Sequence, residues 1–219
     1  MLSIRWATVD DAAGVAAVHV NAWRVAYAGL IDQAVLDRQS VDARTEMWRN
    51  WITRSLAGEA PGGYGDVAHR LLIAELDGVI RGWASFGGGR DDDARELGEL
   101  AGLYVEPTRW SRGVGNALIE RAQQELAATG WTDAYLWVLD GNARAIRFYE
   151  RHGWRATAPR SSVRAGASTA CTSCDTCVRS ERVSLSGCLW GMPQADALER
   201  GACDPPGSQR IRAPVIARS

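Results

Sequence analysis

Residues 103–118 read Leu-Tyr-Val-Glu-Pro-Thr-Arg-Trp-Ser-Arg-Gly-Val-Gly-Asn-Ala-Leu. An apolar, β-favouring run ends at Val105, Pro107 breaks it, and a glycine-spaced loop opens a helix. That helix carries Val114, Leu118, Ile119, Ala122 and Leu126 at helical spacing and closes at Gly130. Gly113 and Gly115 remove Cβ atoms where backbone amides must approach a ligand. The first helical turn adds unpaired N–H groups at its positive dipole end. Such a turn is an anion site, and a pyrophosphate is its natural guest, with Arg112 available for charge-assisted contacts. Taken alone, Gly-x-Gly at a strand-to-helix junction is also what a chain uses simply to turn.

Upstream, residues 71–76 and 79–86 are two strand-like runs separated by Asp77-Gly78, a strong hairpin signal. A polar loop over 87–95, containing Asp91, Asp92 and Asp93, leads to a third strand over about 97–105. Residues 2–7 form an opening strand. Thr8-Val9-Asp10-Asp11 then offers a capping box to a helix bearing Val15, Val18, Ala22, Trp23, Ala26 and Tyr27. Met47, Trp48, Trp51, Ile52 and Leu56 mark a second helix, followed by a Gly- and Pro-rich loop to 65. Downstream come a strand over 134–139 and a short helix over 142–152, with Gly153 at the usual left-handed cap. A meander followed by a βαβ unit implies an α/β (α+β) protein with a mixed sheet rather than a doubly wound one.

Composition divides the chain. All 25 cations are Arg, and residues 1–156 hold 17 of them against 21 acids, whereas 157–219 hold 8 against 5. Sixteen of 17 aromatic residues and none of the five Cys lie before 157. Aromatic rings dominate core energetics, so the tail has little with which to build a second core. The expected organisation is one domain over 1–156 with its final hairpin missing or altered, and an atypical tail over 157–219. Cys171, Cys174, Cys177, Cys188 and Cys203 lack the paired spacing of a zinc site, and Glu181 stands where a cluster run needs cysteine. No metal is therefore expected. The tail reads better as a shifted frame of a GC-rich gene: starting from the third base of codon 156 permits Asp-Gly-Ala-Ala-Lys, which contains a hairpin turn. Failing that, residues 183–189 are the best substitute strand. No apolar run reaches the ~20 residues needed to span a bilayer, and no signal-peptide layout opens the chain, so a cytoplasmic location is expected. The acidic body, at -4, and the lack of a basic stripe argue against a nucleic-acid partner.

Leu-x-Val-x-Pro, Arg-Gly-x-Gly-x-x-Leu and then Asn142-x-x-Ala145-x-x-Phe148-Tyr149-Glu150-x-x-Gly153-Trp154 together resemble the GCN5-related N-acetyltransferase superfamily, over roughly residues 2–156. Residues 23–31 also look like the first-helix region of many small bacterial members. The resemblance implies a sheet splayed between two neighbouring strands, with acetyl-CoA wedged in the gap as co-substrate. The backbone at Leu103, Tyr104 and Val105 would pair with the pantetheine arm. The amides of Arg112, Gly113, Val114, Gly115 and Asn116 would hold the pyrophosphate, and Asn142 would contact the pantetheine. Trp110 departs from the Gln or Arg common at its position and is expected to reshape the loop rather than abolish binding.

The implied reaction is direct attack of a primary amine in a ternary complex. An amine of pKa ~10.4 is almost wholly protonated at neutral pH and needs a base. Glu99 is the candidate: it lies six residues before Val105, and even separations on a strand share a face. Glu96 and Glu106 compete with it, and a merely solvated strand glutamate is the plain alternative. Tyr149 matches the family tyrosine that protonates the departing thiolate, its alternative being a core aromatic beside Phe148. A strand amide near Val105 would hold the developing oxyanion. The acidic run at 91–93 could draw in a cationic amine, although such runs are usually solvated loop. Trp23, Trp48 and Trp51 either line an acceptor pocket or belong to the core. The acceptor itself, a small molecule or a peptide, and a homodimer are left open. A non-catalytic or decayed acyl-CoA-binding module is the second reading, given the incomplete C-terminal part.

Overall fold

The computed structural model describes residues 1–61, 67–157 and 208–215. The strands are β1 Leu2–Trp6, β2 His69–Leu76, β3 Val79–Gly88, β4 Gly98–Val105, β5 Asp133–Leu139, β6 Arg155–Ala156 and β7 Ser208–Pro214. The helices are α1 Ala12–Ala26, α2 Gln33–Asp37, α3 Val41–Leu56, α4 Val114–Ala128 and α5 Ala143–Arg151. Seven strands form one mixed sheet in the order β1-β2-β3-β4-β5-β7-β6. The mixed sheet flanked by helices is the expected class. The short α2 was not anticipated; its N-cap Asp32 accepts from the Ala34 amide at 2.8 Å.

Local chemistry sets the elements. Thr8 donates its amide and its hydroxyl to the Asp11 carboxylate at 2.7 and 2.9 Å, which starts the turn into α1. At the β2–β3 hairpin Asp77 and Gly78 both adopt positive φ, 52° and 77°, as a tight primed turn requires. Along β2, Leu71 and Ile73 face the side covered by α1 and α3, whereas Leu72 and Ala74 face α4 and α5. This strict alternation feeds two cores, one on each face of the sheet.

Two irregularities position the site. Strands β4 and β5 are parallel and pair only at Gly98↔Ala134 and Glu99↔Tyr135; beyond that they part. In β4 the register with β3 passes from Leu100↔Phe86 to Gly102↔Ser85, so Ala101 is an extra residue in a bulge. Leu100 and Leu103, an odd three residues apart, consequently face the same core.

A strand from the tail stands beside β5. That place is taken by β7, antiparallel from Asp133↔Pro214 to Leu139↔Ser208, with β6 on its outer side. The 183–189 strand proposed from sequence lies outside the described residues, as do all five cysteines. Ile211, Ala213 and Val215 bury their side chains with Leu136, Val138 and Trp154. Arg210 of β7 pairs with Asp91 at 2.7 Å and Asp93 at 2.9 Å, so these two acids of the run anchor the added strand. Among the described residues no helix is long and apolar enough to cross a membrane.

Candidate active site

A cavity of about 350 Å³ opens where β4 and β5 part. It draws walls from both faces of the sheet: Ala22 and Ala26 of α1 with Tyr27 on one side, and Gly115 and Asn116 of α4 with Phe148 and Tyr149 of α5 on the other. Leu103, Tyr104 and Val105 of β4 and Val138 of β5 border the gap itself. The edge of β4 that β5 leaves unpaired past Glu99 is therefore available to an extended ligand arm.

The loop into α4 supplies the anion site. Ser111 and Gly113 both lie in the left-handed region, at φ 59° and 86°, which turns successive amides to one side as a concave nest. Gly113 is the N-cap, and the amides of the first turn have no intrahelical acceptor. A Cβ on Gly115 would meet the Phe148 ring at 3.2 Å, so any larger residue there would press that ring away from α4. Trp110 explains its departure from the family pattern. Its indole N–H donates to the Val105 carbonyl at 2.8 Å, and the Arg144 guanidinium lies 4.1 Å from its ring centre. The indole thus ties the loop to the end of β4 and seats an arginine at the mouth.

Of the residues selected from sequence, Leu103, Tyr104, Val105, Gly113, Gly115, Asn116, Asn142 and Tyr149 line this cavity. Val114 is in the core and the Arg112 side chain is exposed, so these two can contribute through their amides. Asn142 caps α5, its side chain accepting from the Ala145 amide at 3.1 Å.

Tyr149 is buried against the cavity, and no side-chain partner holds its hydroxyl among the described residues. Burial first, and then the nearby Tyr104, raises its pKa well above the ordinary phenol value, so it stands as a proton donor. Tyr27 and Tyr104 meet hydroxyl to hydroxyl at 3.1 Å against the same cavity. From sequence, Tyr104 contributes only its backbone and Tyr27 only part of a helix face; Tyr27 ends α1 and Tyr104 alternates inward, but their meeting is tertiary.

Glu99 requires a correction. The bulge at Ala101 reverses the parity of β4, so Glu99 shares a face with Tyr104 and not with Val105. It sits where β4 and β5 are still paired, is 1% exposed, and does not line the cavity. Both its carboxylate oxygens are taken by Arg90, one of them from Nε at 2.8 Å. His69 lies 3.7 Å away and hydrogen-bonds the Gly88 carbonyl at 2.8 Å. Burial and the Arg90 charge push His69 down to about 3 from the ordinary 6.5. Between those values the unfolded chain binds the extra proton, so stability is full above pH 6.5 and falls as pH drops toward 3. The loss from His69 reaches about 1.4 kcal/mol per unit, and buried His19 adds in the same direction. Thermal unfolding at pH 5 should therefore begin well below that at pH 7, and an unchanged midpoint would contradict this assignment.

A family model described as the Acetyltransferase (GNAT) family matches residues 13–154. The chain belongs to this family. The acetyltransferase is 28% identical over 153 residues to the N-acetyltransferase YuaI of Bacillus subtilis, covering 69% of this chain and 79% of that protein. It is 27% identical over 158 residues to the L-amino acid N-acyltransferase MnaT of Escherichia coli, covering 72% and 81%. Among solved structures it resembles the PaiA N-acetyltransferase of Thermoplasma acidophilum in complex with coenzyme A, with a TM-score of 0.58 at 18% identity over 74% of this chain and 94% of that one. It also resembles yncA of Salmonella typhimurium with acetyl-CoA, with a TM-score of 0.55 at 20% identity over 100% and 96%. These likenesses establish the fold.

Proposed function

We propose that the acetyltransferase moves the acetyl group of acetyl-CoA to a primary amine by direct attack in a ternary complex. The observation that carries this reading is the cavity at the parting of β4 and β5, whose walls include both the amide nest and three tyrosines. Acetyl-CoA supplies an activated thioester. The nest at 111–116 would hold its pyrophosphate, Arg144 and Arg147 would face its charged end, and the open edge of β4 would align its arm. Tyr149 would donate its proton to the leaving sulfur. A small amine entering from the α1–α3 side would meet the Tyr27–Tyr104 pair, and the named activities of relatives such as MnaT support a small-molecule acceptor.

No carboxylate lines the cavity among the described residues, so the amine would shed its proton to water before attack. The expected result is a kcat/KM for amine that rises about tenfold per pH unit from pH 7 toward the amine pKa. Glu99→Gln should keep that slope while lowering stability by about 2–3 kcal/mol, because Arg90 loses its charged partner. A flattened profile in a folded Glu99→Gln protein would restore Glu99 as base. Release of coenzyme A thiol across an amine panel tests the function. The non-catalytic alternative rested on an incomplete sheet, which the β5–β7 ladder now fills. Acetyl-CoA binding without turnover of any amine would favour it.

A further inference from the structure

Beside the α1 wall of the cavity, donors of α1 and α3 gather without an acid. Arg44 of α3 is half-buried, and its guanidinium carbon lies 5.7 Å from the centre of the Trp23 ring. Among the described residues no carboxylate pairs with it. Its Nε and one terminal nitrogen donate to the neutral Oε1 of Gln39 at 3.2 and 2.9 Å, and the other meets the Met47 sulfur at 3.3 Å. Several other half-buried arginines do have acids: Arg5 has Asp11 and Glu75, Arg90 has Glu99, and Arg210 has Asp91 and Asp93. Among the described residues Arg81, Arg109 and Arg212 are half-buried without a carboxylate as Arg44 is, so what sets Arg44 apart is the company of buried aromatic N–H donors.

The surroundings deepen the deficit. The Trp23 indole N–H is buried with no partner. His19 accepts at Nδ1 from Trp48 at 3.2 Å, which leaves the proton of the neutral ring on Nε2, and that atom is also buried without a partner. Burial lowers the Arg44 pKa, as expected for a cation short of a counter-ion. The cluster adjoins the cavity: Trp23 packs edge-on to Tyr27 at 5.3 Å, and His19 stacks on Tyr104 at 5.5 Å, both tyrosines being cavity walls. A guanidinium, an indole N–H and an imidazole N–H without an acid are a set of donors suited to a planar anion. The Gln39 amide oxygen holds the place of a carboxylate oxygen, with the same sp² geometry and no charge.

We infer that the amine acceptor also carries a carboxylate, and that Arg44 binds this carboxylate in place of the Gln39 side chain, with the Trp23 indole N–H beside it. The substrate class is thus an amino acid, and the aromatic surroundings favour an apolar side chain. This rests on the amine acetyltransfer proposed above. The coenzyme would enter from the α4–α5 face and the amino acid from the α1–α3 face.

The test compares L-phenylalanine with 2-phenylethylamine, L-methionine with 3-(methylsulfanyl)propylamine, and 6-aminohexanoate with pentylamine, in the wild type and in Arg44→Gln and Arg44→Lys variants of equal melting temperature. The wild type should favour the amino acid of at least one pair by about 10-fold or more in kcat/KM. Arg44→Gln should raise KM for that amino acid about 10-fold while leaving its amine counterpart and acetyl-CoA within twofold, and Arg44→Lys should recover part of the loss. Equal losses for both members of each pair, or a wild-type preference for the plain amines, would overturn the inference while leaving amine acetylation standing. If no amine is turned over, the proposed function fails, and calorimetric titration with N-acetyl-L-phenylalanine in the presence of coenzyme A still decides: binding lost in Arg44→Gln sustains the carboxylate site, and equal or absent binding removes it.

Discussion

Tyr149→Phe should lower kcat about 100-fold while leaving the KM for acetyl-CoA within twofold. The hydroxyl belongs to a residue that lines the cavity, and its raised pKa keeps the proton available through the neutral range. A thiol of pKa ~8.5 leaves as a fair thiolate on its own, which places the loss at the lower end of the 10²–10⁴ range for a positioned acid. Stability should barely move, because among the described residues the hydroxyl has no hydrogen bond to lose and the ring is kept against Phe148 and Trp154. Steady-state coenzyme A release with a saturating amine reads the effect, with the melting temperature as control. A loss under threefold would take the acid role away from Tyr149 and move attention to the Tyr27–Tyr104 pair. Tyr27→Phe separates the two cases, since it breaks that 3.1 Å contact at a cost of about 1 kcal/mol and leaves Tyr149 untouched.

The parts of the site legible in sequence are those written in local chemistry. Pro107, Gly113 and Gly115 each fix a backbone feature over a few residues, and the strand, nest and helix follow them. The Asp77-Gly78 turn and the alternation of β2 are local in the same sense. Glu99 escapes the even-spacing rule because that rule holds only along an unbroken pleat. Nothing in Gly98-Glu99-Leu100-Ala101-Gly102 announces the extra residue, which exists only in the register with β3. Trp110 was legible as a departure but not as a tie, since its acceptor is a carbonyl at the end of the preceding strand. The donor cluster around Arg44 was invisible for the same reason: α1 and α3 each look amphipathic alone, and the missing counter-ion is apparent only once their faces meet.

A chain ending at residue 207 should lose its cooperative unfolding transition. The whole of β5, from Asp133 to Leu139, would give up its antiparallel partner, and β6 would lose its ladder. Ile211 and Ala213 are 3% exposed and Val215 is 6% exposed, all in the core that also holds Leu136, Val138 and Trp154. Removing the Ile211 side chain alone, by Ile211→Ala, should cost about 2–4 kcal/mol. The deleted ladder and the Arg210 contacts to Asp91 and Asp93 add to that, against a total stability on the order of 5–15 kcal/mol. The exposed, apolar edge of β5 would then promote aggregation. The consequence reaches the site, because Val138 of β5 lines the cavity and the divergence of β5 from β4 creates it. Thermal unfolding followed by circular dichroism, with Ile211→Ala as the milder case, measures both effects. If the shortened chain keeps the midpoint of the full one and still releases coenzyme A at the full rate, the acetyltransferase body ends near 156 as its composition suggested, and residues 208–215 do not contribute to its fold.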